Sequence, residues 1–378
     1  MRHLQWQHFV GHTRLKQTLA AAFDNNALGH AYLFSGDIGV GTFQAALELA
    51  MALLCDSDDA VPCYGCESCR QMTHHAHPDF HLVMPVALQK EHKSSDGKLS
   101  DEGWKFISEQ SRLRINNPYA TPEQTGIPTI PVEWIRETNH AILRGSVKGK
   151  RNVAVFVDVD LMKKESANAI LKTLEEPPAQ TVIFLITQRM HGVLPTILSR
   201  CQIMRFGYLS PDDIRLVVEK KFSDLSAESV DNAVRCAGGS LAAAFGLIEQ
   251  PLDLRLEEAR RLWQICTGTD ALSFAAQLDE FVKDSLEGGK DYQSCERILT
   301  YMIYLIRDIF LSNIPGTQKY IRTGFSQPDT NLSRPDVAQR LVSVCQDAIS
   351  SVRVRGNLPL TLTTCALAIM EIMHGKEQ

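Results

Sequence analysis

The amino-acid sequence predicts an α/β domain with a parallel sheet covered by helices on both faces, followed by domains built of helices. Three nearly continuous apolar runs indicate buried strands, at residues 30–36, 151–160 and 181–187. Such runs, separated by helical segments, are typical of parallel sheets rather than of sheets with one solvated face. After about Phe206 the sequence contains helical patterns and no convincing strand.

Helix boundaries support this division. The segment 166–174 has apolar residues at helical spacing, and Pro177 with Pro178 ends that helix because proline cannot continue the hydrogen-bond ladder. A Ser-Pro-Asp-Asp sequence at 210–213 signals the start of another helix. Further on, one helical face carries four apolar side chains: Ile298, Met302, Leu305 and Ile309.

Composition limits the classes of function. The chain has 378 residues, enough for two or three domains, with 44% hydrophobic and 22% charged residues. Its net charge of −5 gives no general electrostatic basis for binding nucleic acid. The N-terminus lacks the apolar core of a secretory signal, and the apolar runs are too short to span a membrane. We therefore expect a cytoplasmic protein with no membrane partner.

The first chemical motif is FSGDIGVGTFQAA, at residues 34–46. A phosphate-binding P-loop has Gly, four residues, Gly, Lys and then Ser or Thr. Gly36 and Gly41 fit this pattern, but Thr42 stands at the lysine position and Phe43 at the hydroxyl position. Thr42 carries no charge to neutralise phosphates and Phe43 cannot hold Mg²⁺, so we expect the loop to keep its fold without its chemistry.

A second motif lies at the end of the strand predicted at 151–160. Asp158 follows an apolar run, as does the aspartate of a Walker B motif, which orients magnesium-bound water. The alternative is a plain buried strand with an acidic end, which is common. Val159 comes next and has no group that could polarise water. The sequence therefore predicts a Walker B motif that is incomplete.

Four of the ten cysteines form a cluster: Cys55, Cys63, Cys66 and Cys69. Two Cys-x2-Cys steps share Cys66, and four thiolates in a tetrahedron are a ligand set that structural Zn²⁺ prefers. The sequence therefore predicts a structural zinc module at 55–69. A nearby histidine could replace one cysteine as a ligand, from among His74, His75 and His77. Free thiols on an exposed loop are the remaining alternative.

Several motifs, in order along the chain, resemble the clamp-loader branch of the AAA+ family. They are FVGHTRLKQTL at 9–19, HAYLFSG at 30–36, HPDFHLV at 77–83, SANAILKTLEEPP at 166–178 and LPTILSRC at 194–201. The resemblance covers at least residues 1–250. It implies a P-loop-type AAA+ domain at 1–207 with an inserted zinc module, a small helical lid at 208–251 and an all-helical collar domain at 252–378.

The resemblance also implies roles at a nucleotide site. In this family the arginine of a Ser-Arg-Cys motif reaches the γ-phosphate of ATP held by a neighbouring subunit. That role would fall to Arg200, catalytic in trans, with Ser199 and Cys201 as its motif. Active members have a glutamate where this chain has Val159. They also have Gly-Ser-x-Arg in the lid, where this chain has Gly239, Ser240, Leu241 and Ala242.

The lost groups are those that would face the chain's own nucleotide, whereas Arg200 is kept. The resemblance therefore implies a non-catalytic subunit that binds no ATP of its own. Its implied partners are the ATP-hydrolysing tau/gamma subunits and the delta subunit of the bacterial clamp loader, with the sliding clamp contacted indirectly and primer-template DNA held within the complex. Two alternatives remain open: an active clamp-loader-type ATPase with an atypical P-loop, and a free-standing zinc-containing DNA-binding protein.

Two polar segments have no assigned role. Residues 87–130 are turn-rich, and we expect an insertion, partly mobile, with a short helix at 104–113. Residues 143–152 carry four basic side chains that form either a solvated connector or a contact with DNA phosphates: Arg144, Lys148, Lys150 and Arg151. Lys163 and Lys164 have the same two interpretations.

Overall fold

The computed structural model divides into two compact units, Met1–Phe245 and Gly246–Gln378. The structure describes these residues: 2–95, 97–120, 128–249, 252–268, 271–286, 288–289, 291–317, 321, 330–353 and 356–374. The predicted division into domains at 1–207, 208–251 and 252–378 stays a prediction, because two compact units do not test a three-part boundary.

The first unit contains a five-stranded parallel sheet. Its strands are β2 (Ala31–Ser35), β4 (Phe80–Val83), β5 (Asn152–Phe156), β6 (Thr181–Thr187) and β7 (Gln202–Arg205), in the spatial order β4-β5-β6-β2-β7. Two short strands pair separately, β1 (His3–Leu4) with β3 (Ala60–Val61). Every residue of β5 and β6 is buried, so both faces of the sheet are covered. The predicted parallel α/β fold is confirmed.

The strand order makes β2 the point at which the connections reverse direction. After β2 the chain forms β4 at one edge and then returns through β5 and β6, until β6 lies beside β2. β7 is then added on the other side of β2. In open parallel sheets, ligands bind beyond the carboxyl ends of the strands at such a reversal. The loop that follows β2 therefore occupies the position where a ligand site is expected.

Two helix boundaries of this unit lie where the local sequence signals place them. The predicted helical segment 166–174 lies within α6, which ends at Glu175, two residues before the proline pair. Ser210 caps α8, where its hydroxyl accepts from the Asp213 N–H. The helices are α1 (Thr13–Asp24), α2 (Thr42–Leu54), α3 (Glu67–Thr73), α4 (Asp101–Asn116), α5 (Val132–Leu143), α6 (Lys164–Glu175), α7 (Pro195–Leu198), α8 (Pro211–Lys221), α9 (Ala227–Cys236) and α10 (Leu241–Glu249).

Helix α4 lies in the polar segment 87–130 and is longer than the sequence predicts. It has 16 residues, and its buried side is partly polar, with Gln110, Ser111 and Arg114 beside Ile107 and Ile115. Because polar residues occupy buried positions, the apolar periodicity that reveals a helix is weak here. Ser100 caps the helix, where its side chain accepts from the Gly103 N–H at 3.1 Å. Residues 121–127 of this segment lie outside the described residues.

The second unit is helical over its described residues. Its helices are α11 (Leu252–Thr267), α12 (Ala271–Ser285), α13 (Tyr292–Ser312), α14 (Pro335–Arg353) and α15 (Leu358–His374). The predicted apolar face of α13 is buried, with at most 2% of each side chain exposed at Ile298, Met302, Leu305 and Ile309. In the part of the chain that the structure describes, no helix combines the length and the apolarity needed to cross a bilayer.

We expect the sheet core to tolerate truncation poorly. Ile183 in β6 is fully buried, whereas Leu216 on α8 has 63% of its surface exposed. Ile183→Ala should lower the free energy of unfolding by about 2–5 kcal/mol, through lost burial and the cavity left behind. The matched control Leu216→Ala should change it by less than about 0.5 kcal/mol. Urea unfolding followed by circular dichroism measures both, and equal effects would contradict the assignment of β6 to the core.

Candidate functional site

The loop after β2 has the geometry of a phosphate-binding loop. Residues 36–41 join the strand to α2, and Gly39 and Gly41 have φ of 83° and 102°, a region that residues with side chains rarely adopt. Gly41 directly precedes α2. The free N–H groups of the first helical turn therefore point back toward the loop, as they do in sites that bind phosphate at a helix N-terminus.

The turn before α10 lies directly on this loop. The Leu241 N–H donates to the Gly39 carbonyl at 3.0 Å, and the Ser240 hydroxyl donates to the Ile38 carbonyl at 2.8 Å. A Cβ atom at Gly39 would clash with Ser240 and with Ala242. Residues 240 and 241 thus contact the loop backbone directly.

Arg114 of α4 fills the other side of the loop. Its guanidinium carbon lies 4.5 Å from the centre of the Phe43 ring, and its Nη1 donates to the Ala120 carbonyl. Only 7% of the Arg114 surface is exposed. The remaining cavity has a volume of about 20 Å³, which is roughly the room needed by one water molecule. Its lining includes Gly36, Gly41, Thr42, Phe43, Arg114 and Asp158.

Asp158 lies at the same cavity, after β5. Its carboxylate accepts from the Gln188 amide at 3.0 Å. Burial raises the pKa of Asp158, whereas the hydrogen bond from Gln188 and the positive charge of Arg114 lower it. Burial lowers the pKa of Arg114 to about 10, partly offset by Asp158, so Arg114 remains charged at neutral pH. Val159 is buried in the core and presents no polar group to the cavity.

Arg200 lies elsewhere in the first unit and does not line this cavity. It follows α7, and its Nη2 is 2.6 Å from a Glu175 carboxylate oxygen. Its Nη1 donates to the Thr196 carbonyl at 2.8 Å and to the Ser199 hydroxyl at 3.1 Å. A third of the Arg200 side chain is exposed. Cys201 is half-buried, and burial raises the pKa of its thiol to about 11.

The four clustered cysteines come together as predicted and can hold a metal ion. Their Sγ atoms all lie within 4.8 Å of one another, with Cys55 at 3.5 Å from Cys63 and 3.8 Å from Cys66. Backbone N–H groups face the sulfurs; for example, the Cys69 nitrogen lies 3.4 Å from the Cys66 Sγ. Burial alone would raise the pKa of Cys63, but N–H groups of Gly65 and Cys66 lower it to about 7. These contacts favour the thiolate of Cys63, the form that binds metal, whereas burial raises the pKa of Cys55 and of Cys69.

In the described part of the chain, this group of possible ligands contains cysteines and no histidine. His77, the buried member of the nearby histidines, is otherwise engaged. Its Nδ1 accepts from the Asp79 N–H at 3.1 Å, and its Nε2 lies 3.3 Å from the Ser68 hydroxyl. Burial lowers the pKa of His77 to about 4, so the ring is neutral at physiological pH and serves as a hydrogen-bonding group of the scaffold.

The basic connector at 143–152 is anchored by Asp79. The Asp79 carboxylate accepts from the Val147 N–H at 2.6 Å, the Lys148 N–H at 3.0 Å and the Ser146 hydroxyl at 3.0 Å. A carboxylate that receives several such bonds fixes a loop firmly, because each bond to a charged group is stronger than a neutral one. The connector is thereby held against the start of β4.

The basic side chains of the connector have partners within the chain. Lys150 Nζ donates to the Cys55 carbonyl at 2.9 Å and to the Asp56 carboxylate at 3.1 Å. Lys148 Nζ donates to the Ser68 hydroxyl at 3.1 Å, and Arg151 donates to the Asn26 amide oxygen at 2.7 Å. Two lysines thus tie the connector to the cysteine module. These contacts favour the interpretation as a connector over that as a DNA contact. Lys163 and Lys164 are exposed.

Sequence reasoning missed Arg114, which is the residue that most alters the loop site. It sits in a polar stretch, and nothing in the local pattern distinguishes it from the exposed Arg112 two positions earlier. The one available signal is its place between Leu113 and Ile115. Conversely, Gly36, Gly41, Thr42, Phe43 and Asp158, all chosen from the sequence, do line one cavity.

A glycine-containing loop joins β2, the strand at which the connections of the sheet reverse direction, to the buried helix α2. This arrangement defines a P-loop-type α/β protein. More particularly, the chain belongs to the family described as DNA polymerase III, delta subunit, whose sequence model matches residues 11–210. The predicted membership of the clamp-loader family is therefore confirmed.

Three relatives illustrate the similarity. DNA polymerase III subunit delta' of Bacillus subtilis is 28% identical over 201 residues, 53% of this chain and 49% of that protein. Subunit tau of the same organism is 25% identical over 337 residues, 83% of this chain and 51% of that protein. The chain thus spans about half the length of these curated relatives. A solved gamma subunit-related protein of Thermotoga maritima has 16% identity and a TM-score of 0.44, covering 95% of this chain and 99% of that one.

We expect the Asp79 anchor to be important for stability. Asp79→Ala removes the acceptor for two N–H groups and a hydroxyl, and should lower the free energy of unfolding by about 2–4 kcal/mol. Asp58→Ala, at an exposed carboxylate nearby, is the control and should cost less than about 0.5 kcal/mol. Chemical denaturation of both variants measures the difference. A loss at Asp79 no larger than at Asp58 would contradict the anchoring role.

Proposed function

We propose that this chain is a clamp-loader subunit that does not hydrolyse ATP itself and that supplies Arg200 to the ATP site of a neighbouring subunit. The observation that carries the proposal is a contrast within the first unit. The chain's own loop retains a cavity of about 20 Å³, whereas the side chain of Arg200 is one-third exposed. Relatives named delta' and tau support a place in the clamp loader of DNA polymerase III.

Arg200 suits this role because of how it is held. Its Nη1 and Nη2 are already engaged by Thr196, Ser199 and Glu175, so its side chain loses less freedom when it meets a phosphate. Glu175 is the last residue of α6, where the helix dipole disfavours a carboxylate. Its pairing with Arg200 offsets that cost and orients the guanidinium, which would stabilise negative charge on the transferring phosphoryl group.

The implied assembly follows from the family. We propose that the chain joins tau/gamma-type ATPase subunits and a delta subunit in a cytoplasmic hetero-oligomer. In that complex ATP hydrolysis drives loading of the sliding clamp onto primer-template DNA. Residues 208–251 would form the lid, and the helical part at 252–378 would form the collar through which subunits associate.

We further propose that the cysteine cluster binds a structural Zn²⁺. Zn–S bonds of about 2.3 Å in a tetrahedron place sulfur atoms about 3.8 Å apart, and the Cys55 sulfur lies 3.5 Å from Cys63 and 3.8 Å from Cys66. Four thiolates leave no open position for water or substrate, which is the arrangement of a structural site. The ion would therefore stabilise the module between α2 and α3 and take no part in hydrolysis.

The role of Arg200 is tested in the reconstituted complex. Arg200→Ala should lower ATP hydrolysis at the adjacent site by about 10³-fold or more, which is what loss of an arginine acting in trans costs in related phosphoryl transfers. Assembly, judged by size-exclusion chromatography, should be unchanged. Arg205→Ala is the control, at an exposed arginine five residues on. Clamp loading and single-turnover hydrolysis that equal wild type would remove Arg200 from the mechanism.

The zinc proposal is tested by elemental analysis of the purified chain. Wild type should contain about one zinc per chain, whereas Cys63→Ser should contain close to none, because a three-thiolate site binds zinc far more weakly. The melting temperature should fall by about 2–4 °C for each kcal/mol lost. Cys236→Ser, at a buried cysteine of α9 outside the cluster, should keep its zinc. Full zinc content in Cys63→Ser would refute the ligand assignment.

A further inference from the structure

Arg114 places a charged guanidinium where a P-loop protein would hold the phosphates of its nucleotide. We propose that Arg114, on α4 of the 87–130 segment, is an internal occupant of the loop after β2, so that this chain excludes nucleotide by filling the site as well as by lacking the lysine and the hydroxyl. The inference rests on the proposed function, in which the chain holds no ATP of its own, and it gives helix α4 a role.

The first support is position. Arg114 lines the same cavity as Gly36, Gly41, Thr42 and Asp158, the residues that would surround phosphates and a metal ion. It reaches this point from a helix far away in sequence, with its side chain almost wholly buried. A long charged side chain is rarely buried unless specific partners receive it. The site must therefore supply those partners.

The partners are present, and one of them is Phe43. The guanidinium stacks over the Phe43 ring at 4.5 Å, which is within the range of a cation–π contact. Its charge also interacts with Asp158, and its Nη1 donates to the Ala120 carbonyl. Phe43 thus does more than lack a hydroxyl, since it provides the flat apolar face on which Arg114 rests. Asp158, which would orient a metal ion in an active relative, lines the same cavity and attracts the guanidinium electrostatically.

These partners are needed because the site itself disfavours a cation. The N-terminus of α2 carries the positive end of the helix dipole, and its N–H groups attract anions. A guanidinium there is stable only where a carboxylate, a carbonyl and an aromatic face outweigh that repulsion. At Arg114 these three groups are Asp158, the Ala120 carbonyl and the Phe43 ring.

The turn after α4 completes the closure. Pro118 lines the cavity, and the Tyr119 hydroxyl donates to the His8 carbonyl at 2.7 Å. A Cβ at Gly41 would approach the Phe9 ring at 3.0 Å, and the His12 ring lies 2.8 Å from the Val40 carbonyl. The loop is therefore covered by the N-terminal segment as well as by α4 and the turn that follows it.

Restoring only the lysine and the hydroxyl, by Thr42→Lys with Phe43→Thr, should not restore tight nucleotide binding, because Arg114 still occupies the space. Adding Arg114→Ala to that double variant should strengthen binding of Mg-ATP at least tenfold. Adding Arg112→Ala instead should have no effect, since Arg112 is an exposed arginine on the same helix.

The experiment is a titration of the purified full chain with Mg-ATP by isothermal calorimetry, on wild type, the double variant and the two triple variants. A tenfold or greater gain specific to Arg114→Ala supports the inference. Equal affinities of the double variant and its Arg114→Ala derivative, including equal absence of binding, overturn it. This failure is distinct from failure of the proposed function, which would appear as unchanged hydrolysis with Arg200→Ala in the complex. Mg-ATP binding by wild type would overturn both the inference and the proposed function.

If circular dichroism shows that the Arg114 triple variant does not fold, hydrogen exchange on single variants decides. Arg114→Ala should speed exchange of the amides of residues 37–43 at least tenfold relative to wild type, whereas Arg112→Ala should leave it unchanged. Exchange in Arg114→Ala that equals wild type overturns the inference.

Discussion

The parallel pairing of β2 between β6 and β7 is the constraint on which the first unit depends. Because all five strands run the same way, the loop after β2, Asp158 after β5 and Gln188 after β6 meet at one edge of the sheet. No local property of these segments would bring them together. They are brought together by the strand register, which pairs Leu33 with both Leu185 and Ile203. That register is fixed because the strands are buried on both faces.

At this edge the departures from the P-loop pattern form a consistent set. Thr42 and Phe43 remove a cation and a metal ligand, and Arg114 brings a different cation, from α4, onto the ring of Phe43. The turn before α10 then donates to Gly39 and Ile38. Groups that a nucleotide would contact are thus paired with each other, which satisfies buried polar atoms that would otherwise be costly.

Much of this fold could be predicted because its signals are local. Continuous apolar runs indicated parallel strands, Pro177 marked the end of α6, and the spacing of four cysteines indicated their cluster. Arg114 could not be predicted, because its significance depends on a contact with Phe43 across 71 positions of chain, by the difference of their residue numbers. Nor could the partners of Lys148 and Lys150, since sequence cannot tell a lysine in solvent from one bonded to a distant carbonyl or hydroxyl.

Helix α2 connects the two candidate sites of the first unit. It begins at Thr42 beside the loop and ends directly before Cys55, a length of about 20 Å for its 13 residues. Every residue of the helix is buried, including Glu48, whose carboxylate accepts from the His8 N–H at 2.6 Å and from the Tyr64 hydroxyl at 2.8 Å.

Tyr64 belongs to the cysteine module, so Glu48 joins that module to the helix at a second point besides Cys55. A buried carboxylate is tolerated only when it is bonded in this way. The cysteine cluster therefore holds the same helix that carries Phe43. This gives a physical reason for the cysteine cluster at the far end of α2: the module belongs to the scaffold of that helix.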